Sequence, residues 1–99
     1  MSKNIFMTTI SSLSFQPNVL NVSLADGHIL TIPLAWYPRL LHGTEAERQN
    51  WDLVGGGYAI EWPDLDEHIG IEGLLAGRQS GESRKSLDGW LASRKELSL

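Results

Sequence analysis

The chain has 99 residues, a formal net charge of −4 and no cysteine. A chain of this length forms one domain with a modest core, and the lack of cysteine excludes a disulfide framework, a thiolate metal site and a cysteine nucleophile. Five of its eight lysines and arginines lie in the one basic cluster, from Arg78 to Lys95, and the acidic balance of the whole chain disfavours DNA binding by the chain alone.

The composition is typical of a soluble globular domain, with 41% hydrophobic and 20% charged residues. No apolar run approaches the roughly 18 residues of a membrane-spanning helix, and residues 1–10 lack the apolar stretch of a secretory signal. We therefore expect a cytoplasmic protein without a membrane segment. Four tryptophans are available to fill its core: Trp36, Trp51, Trp62 and Trp90.

Three strands are predicted in the first third of the chain. Apolar residues alternate loosely from Thr9 to Phe15 and cleanly from Val19 to Leu24. The turn residues Gln16-Pro17-Asn18 separate these two strands. Asp26-Gly27, a strong hairpin signal, leads into a third strand from Ile29 to Ile32. The pattern predicts an antiparallel three-strand meander.

The periodicity then becomes helical, since apolar residues recur at the spacing of one helix face. These residues are Leu34, Tyr37, Leu40 and Leu41. We expect Gly43 to end this helix in the left-handed conformation. Thr44 to Glu47 has the capping-box pattern that opens a second short helix, from Glu45 to Asn50.

A fourth strand is predicted from Tyr58 to Trp62, with Tyr58, Ile60 and Trp62 on one face, and it is expected on the same sheet. Ser83 to Lys95 has the apolar spacing of an amphipathic helix. The predicted fold class is therefore α+β: a three-strand antiparallel meander, a fourth strand, a short helical insert and a C-terminal helix packed on one face. We expect residues 1–77 to form a small α+β domain, and residues 78–99 to form the linker and C-terminal helix of the same domain.

Several motifs resemble a known family when they are taken together. The run from Asp26 to Gly77 is DGHILTIPLAWYPRLLHGTEAERQNWDLVGGGYAIEWPDLDEHIGIEGLLAG. It resembles the bacterial family called domain of unknown function 2442 (DUF2442), whose members show a D-G hairpin, a PLAWYPRL-like run, a GGGYGIHWPDLDEDI-like run and an EGLLAG close. The resemblance covers at least Val19 to Gly77, with small departures at Ala59 and Glu61.

This resemblance implies a compact α+β domain of undetermined activity. Some family members are fused to a helix-turn-helix DNA-binding segment. Many are encoded beside a second small protein, in an arrangement similar to toxin–antitoxin pairs. The residues after Gly77 supply about one helix, which is too little for a helix-turn-helix module, so the DNA-binding role of the fused members is not expected here.

The triple glycine, Gly55 to Gly57, leads into a strand and has no lysine after it. It therefore fits neither a P-loop nor a dinucleotide-binding loop. We interpret it as a flexible connector with positive φ, or as a close backbone approach to a tryptophan, in preference to a ligand loop.

Carboxylates cluster around Pro63: Glu61, Asp64, Asp66, Glu67 and Glu72. Their spacing is not that of an EF-hand, and a solvated turn is the simpler interpretation. As a functional feature, this turn would be a charged contact surface for a basic partner. The histidines are not spaced as metal ligands, and no nucleophile elbow occurs. We expect no catalytic, cofactor-binding or metal-binding residues.

The C-terminal helix carries a tryptophan–leucine stripe and a glycine, Gly89, at its middle. It either docks on its own sheet, which we prefer, or holds a partner or a second subunit. The candidate interaction surface combines it with the acidic turn: Glu61, Asp64, Asp66, Glu67, Arg84, Lys85, Trp90 and Arg94.

The sequence thus favours a non-enzymatic protein-interaction module, such as an antitoxin-like or regulatory partner in a small bacterial operon pair. A small protein partner is expected and a homodimer is compatible, whereas nucleic acid is not expected for the chain alone. One alternative is a dimeric DNA-associated transcriptional regulator that uses the basic C-terminal residues. A second alternative is a small ligand-binding domain or hydrolase, which requires the acidic turn to face a pocket beside the triple glycine.

Overall fold

The structure is a computed structural model that describes the backbone of residues 8–97 and the side chains of residues 8–95. Its strands and helices are, in chain order, β1 (Ile10–Gln16), β2 (Val19–Leu24), β3 (Ile29–Pro33), α1 (Pro38–His42), α2 (Glu45–Gln49), β4 (Asp52–Val54), β5 (Ala59–Trp62), β6 (Glu67–Gly70), α3 (Ile71–Leu75) and α4 (Arg84–Leu97). Short 3-10 turns precede α1, at Leu34–Trp36, and follow β5, at Pro63–Leu65. The fold class is α+β, as predicted. Within residues 8–97, every helix is too short or too polar to cross a membrane.

The predicted meander is confirmed as the antiparallel sheet β1-β2-β3. In β2 every second side chain enters the core, so that Leu20, Val22 and Leu24 are at most 4% exposed. The second hairpin turns at Gly27, which has φ +101°. There the Asp26 carboxylate accepts a hydrogen bond from the backbone N–H of His28 at 3.0 Å.

The predicted fourth strand is β5, but the expectation that it joins the meander is wrong. It lies at the centre of a second antiparallel sheet, β4-β5-β6. The sequence gives a reason, because Pro33 ends β3 without a donor while β5 has two partners close by in the chain. Ile60 and Trp62 are fully buried as expected. Tyr58 is instead 44% exposed, since it precedes the strand.

The triple glycine forms the turn between β4 and β5. Gly55, Gly56 and Gly57 have φ values of +61°, +67° and +95°, which confirms the positive φ of this connector. The close approach is to β1 rather than to a tryptophan. The Gly57 carbonyl accepts from the Ile10 N–H at 2.8 Å, and a Cβ on Gly57 would lie 2.6 Å from the Ile10 carbonyl oxygen. This contact joins the two sheets.

The helical insert, α1 and α2, follows β3. The capping box at α2 is confirmed, since Thr44 and Glu47 each bond the other's backbone N–H, at 3.1 and 2.8 Å. Gly43 does not take the predicted left-handed conformation, because its φ is −72°. A side chain there would instead lie 2.9 Å from Leu65, so close packing explains this glycine.

One hydrophobic cluster joins both sheets and the insert. At its centre Trp62 is fully buried, and its indole N–H donates to the Arg48 carbonyl at 3.0 Å. The other tryptophans, Trp36, Trp51 and Trp90, are only partly buried and pack against the edge of this cluster. The apolar core therefore depends mainly on one of the four tryptophans, with aliphatic side chains around it.

Replacement of Gly57 by Ala tests the contact between the sheets. We expect a loss of about 2–4 kcal/mol in the free energy of unfolding, because the new Cβ combines an unfavourable φ with a backbone clash. Gly56→Ala is the matched control, since φ is also positive there but nothing lies within 4 Å of the new Cβ. It should lose only about 1 kcal/mol. Urea denaturation measures both variants, and equal losses would contradict the account.

Candidate interaction site

Arg39 on α1 holds the segment before α4 through a short ion pair. Its Nε lies 3.0 Å from both carboxylate oxygens of Glu82, and its Nη2 lies 2.7 Å from Oε2. The side chains are only 15% and 11% exposed. The guanidinium also donates to the Leu65 carbonyl at 3.2 Å. This pairing raises the pKa of Arg39 and lowers the pKa of Glu82, as expected for a charge-assisted, bidentate contact.

A second ion pair connects the C-terminal half of α4 to α2. The Arg94 guanidinium makes two bonds to the Glu47 carboxylate, at 2.6 and 2.9 Å. Glu47 is also the capping residue that accepts from the Thr44 N–H. The pKa of Glu47 is lowered to about 2, mainly because its carboxylate accepts hydrogen bonds from Arg94. One carboxylate therefore starts α2 and anchors α4.

Trp90 lies between these two arginines. The guanidinium carbons of Arg39 and Arg94 lie 4.9 and 4.6 Å from the indole ring, a cation–π arrangement. One turn earlier, Leu87 is buried. The C-terminal helix thus packs on the same domain. Its ion pairs go to the helical insert, and Trp90 packs against the core cluster that the insert shares with both sheets, so the preferred expectation of docking on its own sheet alone is not met.

A shallow groove of about 640 Å³ runs along α4. Ser86, Ser93 and Gly89 line it from the helix, and Ser83 lines it from the residue before the helix, so that the helix backbone can be approached closely. Trp90 adds an apolar surface, and Arg39 contributes from α1. Exposed Lys85 and Asp66 give the groove charges of opposite sign. An open groove of this shape suits a peptide segment better than an enclosed small molecule.

The acidic turn lies beside this groove. Glu61, Asp66 and Glu67 surround a small cavity of about 70 Å³ at the end of the β5–β6 hairpin. Glu67 is partly buried, and this burial raises its pKa. It also lines a second cavity, of about 260 Å³, together with Tyr37 and Arg78. Since the Tyr37 hydroxyl donates to the Arg78 carbonyl at 2.7 Å, that cavity is closed on one side by the linker.

Only some residues of the candidate interaction surface predicted from the sequence lie together in the structure. Asp66, Lys85 and Trp90 line the groove together, while Arg94 covers one face of the indole ring. Asp64 accepts a hydrogen bond from the Asn50 amide at 2.8 Å, away from the groove lining. Arg84 pairs with Asp88 one turn along α4 at 3.0 Å, on an exposed surface.

The sequence patterns do not identify Arg39 and Glu82 as site residues, and they identify Glu47 only as a capping residue. A signal for Arg39 exists, since a single cation stands between the apolar residues Tyr37 and Leu40 of a short helix. A cation held among such neighbours needs a carboxylate. Nothing local identifies that carboxylate, because it is 43 residues away.

The chemistry-bearing motifs do not converge on one catalytic centre. The triple glycine and the acidic turn lie at opposite ends of β5. Glu72 lies near the glycine turn instead, where its hydrogen bond raises the pKa of the exposed Tyr58. Among the residues whose side chains are described, no group of three or more His, Asp or Glu could hold a metal ion.

Removal of the Arg39 guanidinium should destabilise the domain strongly. In Arg39→Met we expect a loss of about 3–5 kcal/mol in the free energy of unfolding, because Glu82 would keep a desolvated charge without its partner. Arg84→Met is the control, since its ion pair is solvent-exposed and should contribute less than about 1 kcal/mol. Thermal and urea unfolding measure both variants; similar losses would show that Glu82 does not need Arg39.

The Glu47 carboxylate should make stability depend on acidic pH. Its pKa is 4.5 in the unfolded chain and about 2 when folded, so its contribution is complete above about pH 4.5 and disappears as the pH falls towards 2. At pH 7 we expect Glu47→Gln to be about 1–2 kcal/mol less stable than the wild type. This difference should shrink towards pH 2. Urea titrations at pH 7, 4 and 2.5 measure it, and a difference independent of pH would contradict the pairing. Arg94→Met should show the same narrowing.

Two solved structures share this fold. A protein of unknown function from Rhodospirillum rubrum ATCC 11170 superposes with a TM-score of 0.67 at 19% identity, covering 77% of this chain and 94% of that one. An uncharacterized protein from Chromobacterium violaceum superposes with a TM-score of 0.66 at 20% identity, covering 92% of this chain and 80% of that one. Both likenesses concern the fold alone. No curated protein matches the chain.

The family resemblance seen in the sequence is confirmed independently. The model of the family described as Protein of unknown function (DUF2442) matches residues 10–80. That range begins with β1 and includes both sheets, the helical insert and α3. The chain therefore belongs to the DUF2442 family.

Proposed function

We propose that this protein is a non-enzymatic interaction module that binds a small protein partner in the groove beside Trp90. The groove itself is the observation that carries the proposal. It is open, about 640 Å³ in size, and lined along one helix by small side chains next to an indole and an arginine. Tryptophan and arginine are the residues that most often dominate protein interfaces, and a groove of this form accepts an extended or helical segment.

The charge of the domain indicates the chemistry of the partner. Residues 8–77 contain nine Asp and Glu against two Arg, a net charge of −7. Asp66, whose side chain is 94% exposed, lines both the groove and the cavity of the acidic turn. A partner segment with an apolar residue for Trp90 and a basic residue for Asp66 would complement both surfaces.

The biological setting that we propose is a bacterial cytoplasmic pair in which this chain is the antitoxin-like or regulatory member. Support comes from the gene arrangement implied by the family resemblance and from the acidic surface. The dimeric DNA-associated regulator has less support. Its cationic surface is reduced because Arg94 is paired with Glu47 and Arg84 with Asp88.

A ligand-binding domain or hydrolase also has less support, because the acidic turn and the triple glycine do not meet. Both cavities at the acidic turn are smaller than the roughly 300 Å³ of a typical ligand pocket. Neither contains a glycine of the triple-glycine turn.

Filling the groove without disturbing the fold tests the proposed partner site. Gly89 is exposed and nothing lies within 4 Å of a Cβ placed on it, so Gly89→Arg should fold normally and obstruct the groove. We expect it to reduce recovery of the partner at least about tenfold in a tagged pull-down from host lysate, relative to the wild type. Ala92→Arg, exposed on the same helix outside the groove lining, is the charge-matched control.

Nuclease treatment separates the protein partner from nucleic acid. The proposal expects one stoichiometric small protein that survives nuclease and is lost only with Gly89→Arg. Equal recovery by both variants would place the partner elsewhere. Captured nucleic acid that disappears with nuclease, together with a salt-sensitive gel shift, would favour the DNA-associated regulator.

A further inference from the structure

We propose that α4 can be exchanged between two copies of the chain, so that each copy's helix occupies the insert of the other in a homodimer. The docking face for the segment from Glu82 through α4 includes Arg39, which pairs with Glu82, and Glu47, which pairs with Arg94. The same helix of a second copy carries the matching groups. This inference concerns self-association and does not depend on the small protein partner.

The contacts that hold α4 can be made equally well by a helix from another chain. They are two charge pairs and one indole placed between two guanidinium groups. The paired residues are 43 and 47 positions apart in sequence, so neither charge pair depends on local geometry. The Arg94–Trp90 contact lies within α4 and moves with the helix. A reciprocal exchange keeps every one of them and changes only the path of the connecting chain.

The position of the hinge is defined by the hydrogen bonds of the linker. We call residues 8–77, which form the two sheets, the helical insert and α3, the body of the domain. The linker is fixed to this body up to Ser80, since the Tyr37 hydroxyl donates to the Arg78 carbonyl and the Ser80 N–H donates to the Trp36 carbonyl. Glu82 already belongs to the docked segment. Between them Gly81 is exposed and its surroundings are open. A change in φ and ψ at this glycine would redirect the helix at the cost of one short-range contact, the hydrogen bond from the Glu82 N–H to the Ser80 hydroxyl at 3.1 Å.

In a dimer, charge complementarity favours the other copy's body, rather than its helix, as the acceptor of α4. Residues 78–95 contain five Lys and Arg against two Asp and Glu, a net charge of +3, whereas residues 8–77 have a net charge of −7. The helix of one copy is therefore attracted to the body of another, while two such helices packed together would repel. The helix also needs a body, because Gly89 weakens it in isolation.

A pair of charge-reversal variants tests the exchange. Arg94→Glu places two carboxylates opposite each other, and Glu47→Arg places two guanidinium groups opposite each other, whether the helix docks in its own body or in an identical copy. In a mixed dimer with exchanged helices both contacts become favourable. Arg94 of the Glu47→Arg chain then meets Glu47 of the Arg94→Glu chain, which is the native pair. The introduced glutamate of one chain meets the introduced arginine of the other, which is the reversed pair.

We expect the 1:1 mixture to form a heterodimer, at least about tenfold more abundant than either homodimer, in native mass spectrometry and light scattering. The double variant Glu47→Arg/Arg94→Glu, which restores the pair within one chain, is the control. It should regain most of the stability that either single variant loses, but not the cap on α2 or the Arg94–Trp90 contact, which it does not restore. Persistence of separate monomers in the mixture, with that control folded, would overturn the proposal. If the control does not fold, the pair Arg39→Glu and Glu82→Arg provides the same test.

Discussion

A guanidinium group that has lost most of its water must be surrounded by acceptors, and Arg39 finds them in three separate parts of the chain. Its partners are the Glu82 carboxylate, the Leu65 carbonyl and the ring of Trp90. Because one side chain makes all these contacts, α1, the turn after β5 and α4 have a fixed relation to one another. The groove beside Trp90 exists because of that relation.

The two halves of the molecule are stabilised in different ways. The sheets and the insert share an apolar core around Trp62, whereas the contacts of α4 combine the burial of Leu87 and the packing of Trp90 with the ion pairs Arg39–Glu82 and Arg94–Glu47. Ion pairs are more directional than apolar burial and more sensitive to salt and pH. We infer that helix docking can respond to solution conditions, or to a second copy, while the body remains folded.

The sequence predicts those features of the fold that local chemistry determines. Alternation and Asp26-Gly27 identify the meander, and Thr44 to Glu47 identifies the start of α2. The second sheet was not predicted because β4 has only three residues, which are too few to show the alternation of apolar and polar residues that marks a strand. The site is predicted less well than the fold. Trp90 and Asp66 are visible as candidates, but Arg39 and Glu82 define the groove through a contact that spans 43 residues.

Amide hydrogen exchange along α4 tests most directly whether the helix is docked. A 14-residue helix with a central glycine is marginal by itself, and its amides would exchange at nearly the rate of an unfolded peptide. If the ion pairs and Trp90 hold it on the insert, residues 88–95 should be protected at least about 100-fold, which corresponds to about 2.7 kcal/mol for local opening. Exchange of these amides without protection, while β2 and β5 remain protected, would contradict the docking of α4 and the groove that depends on it.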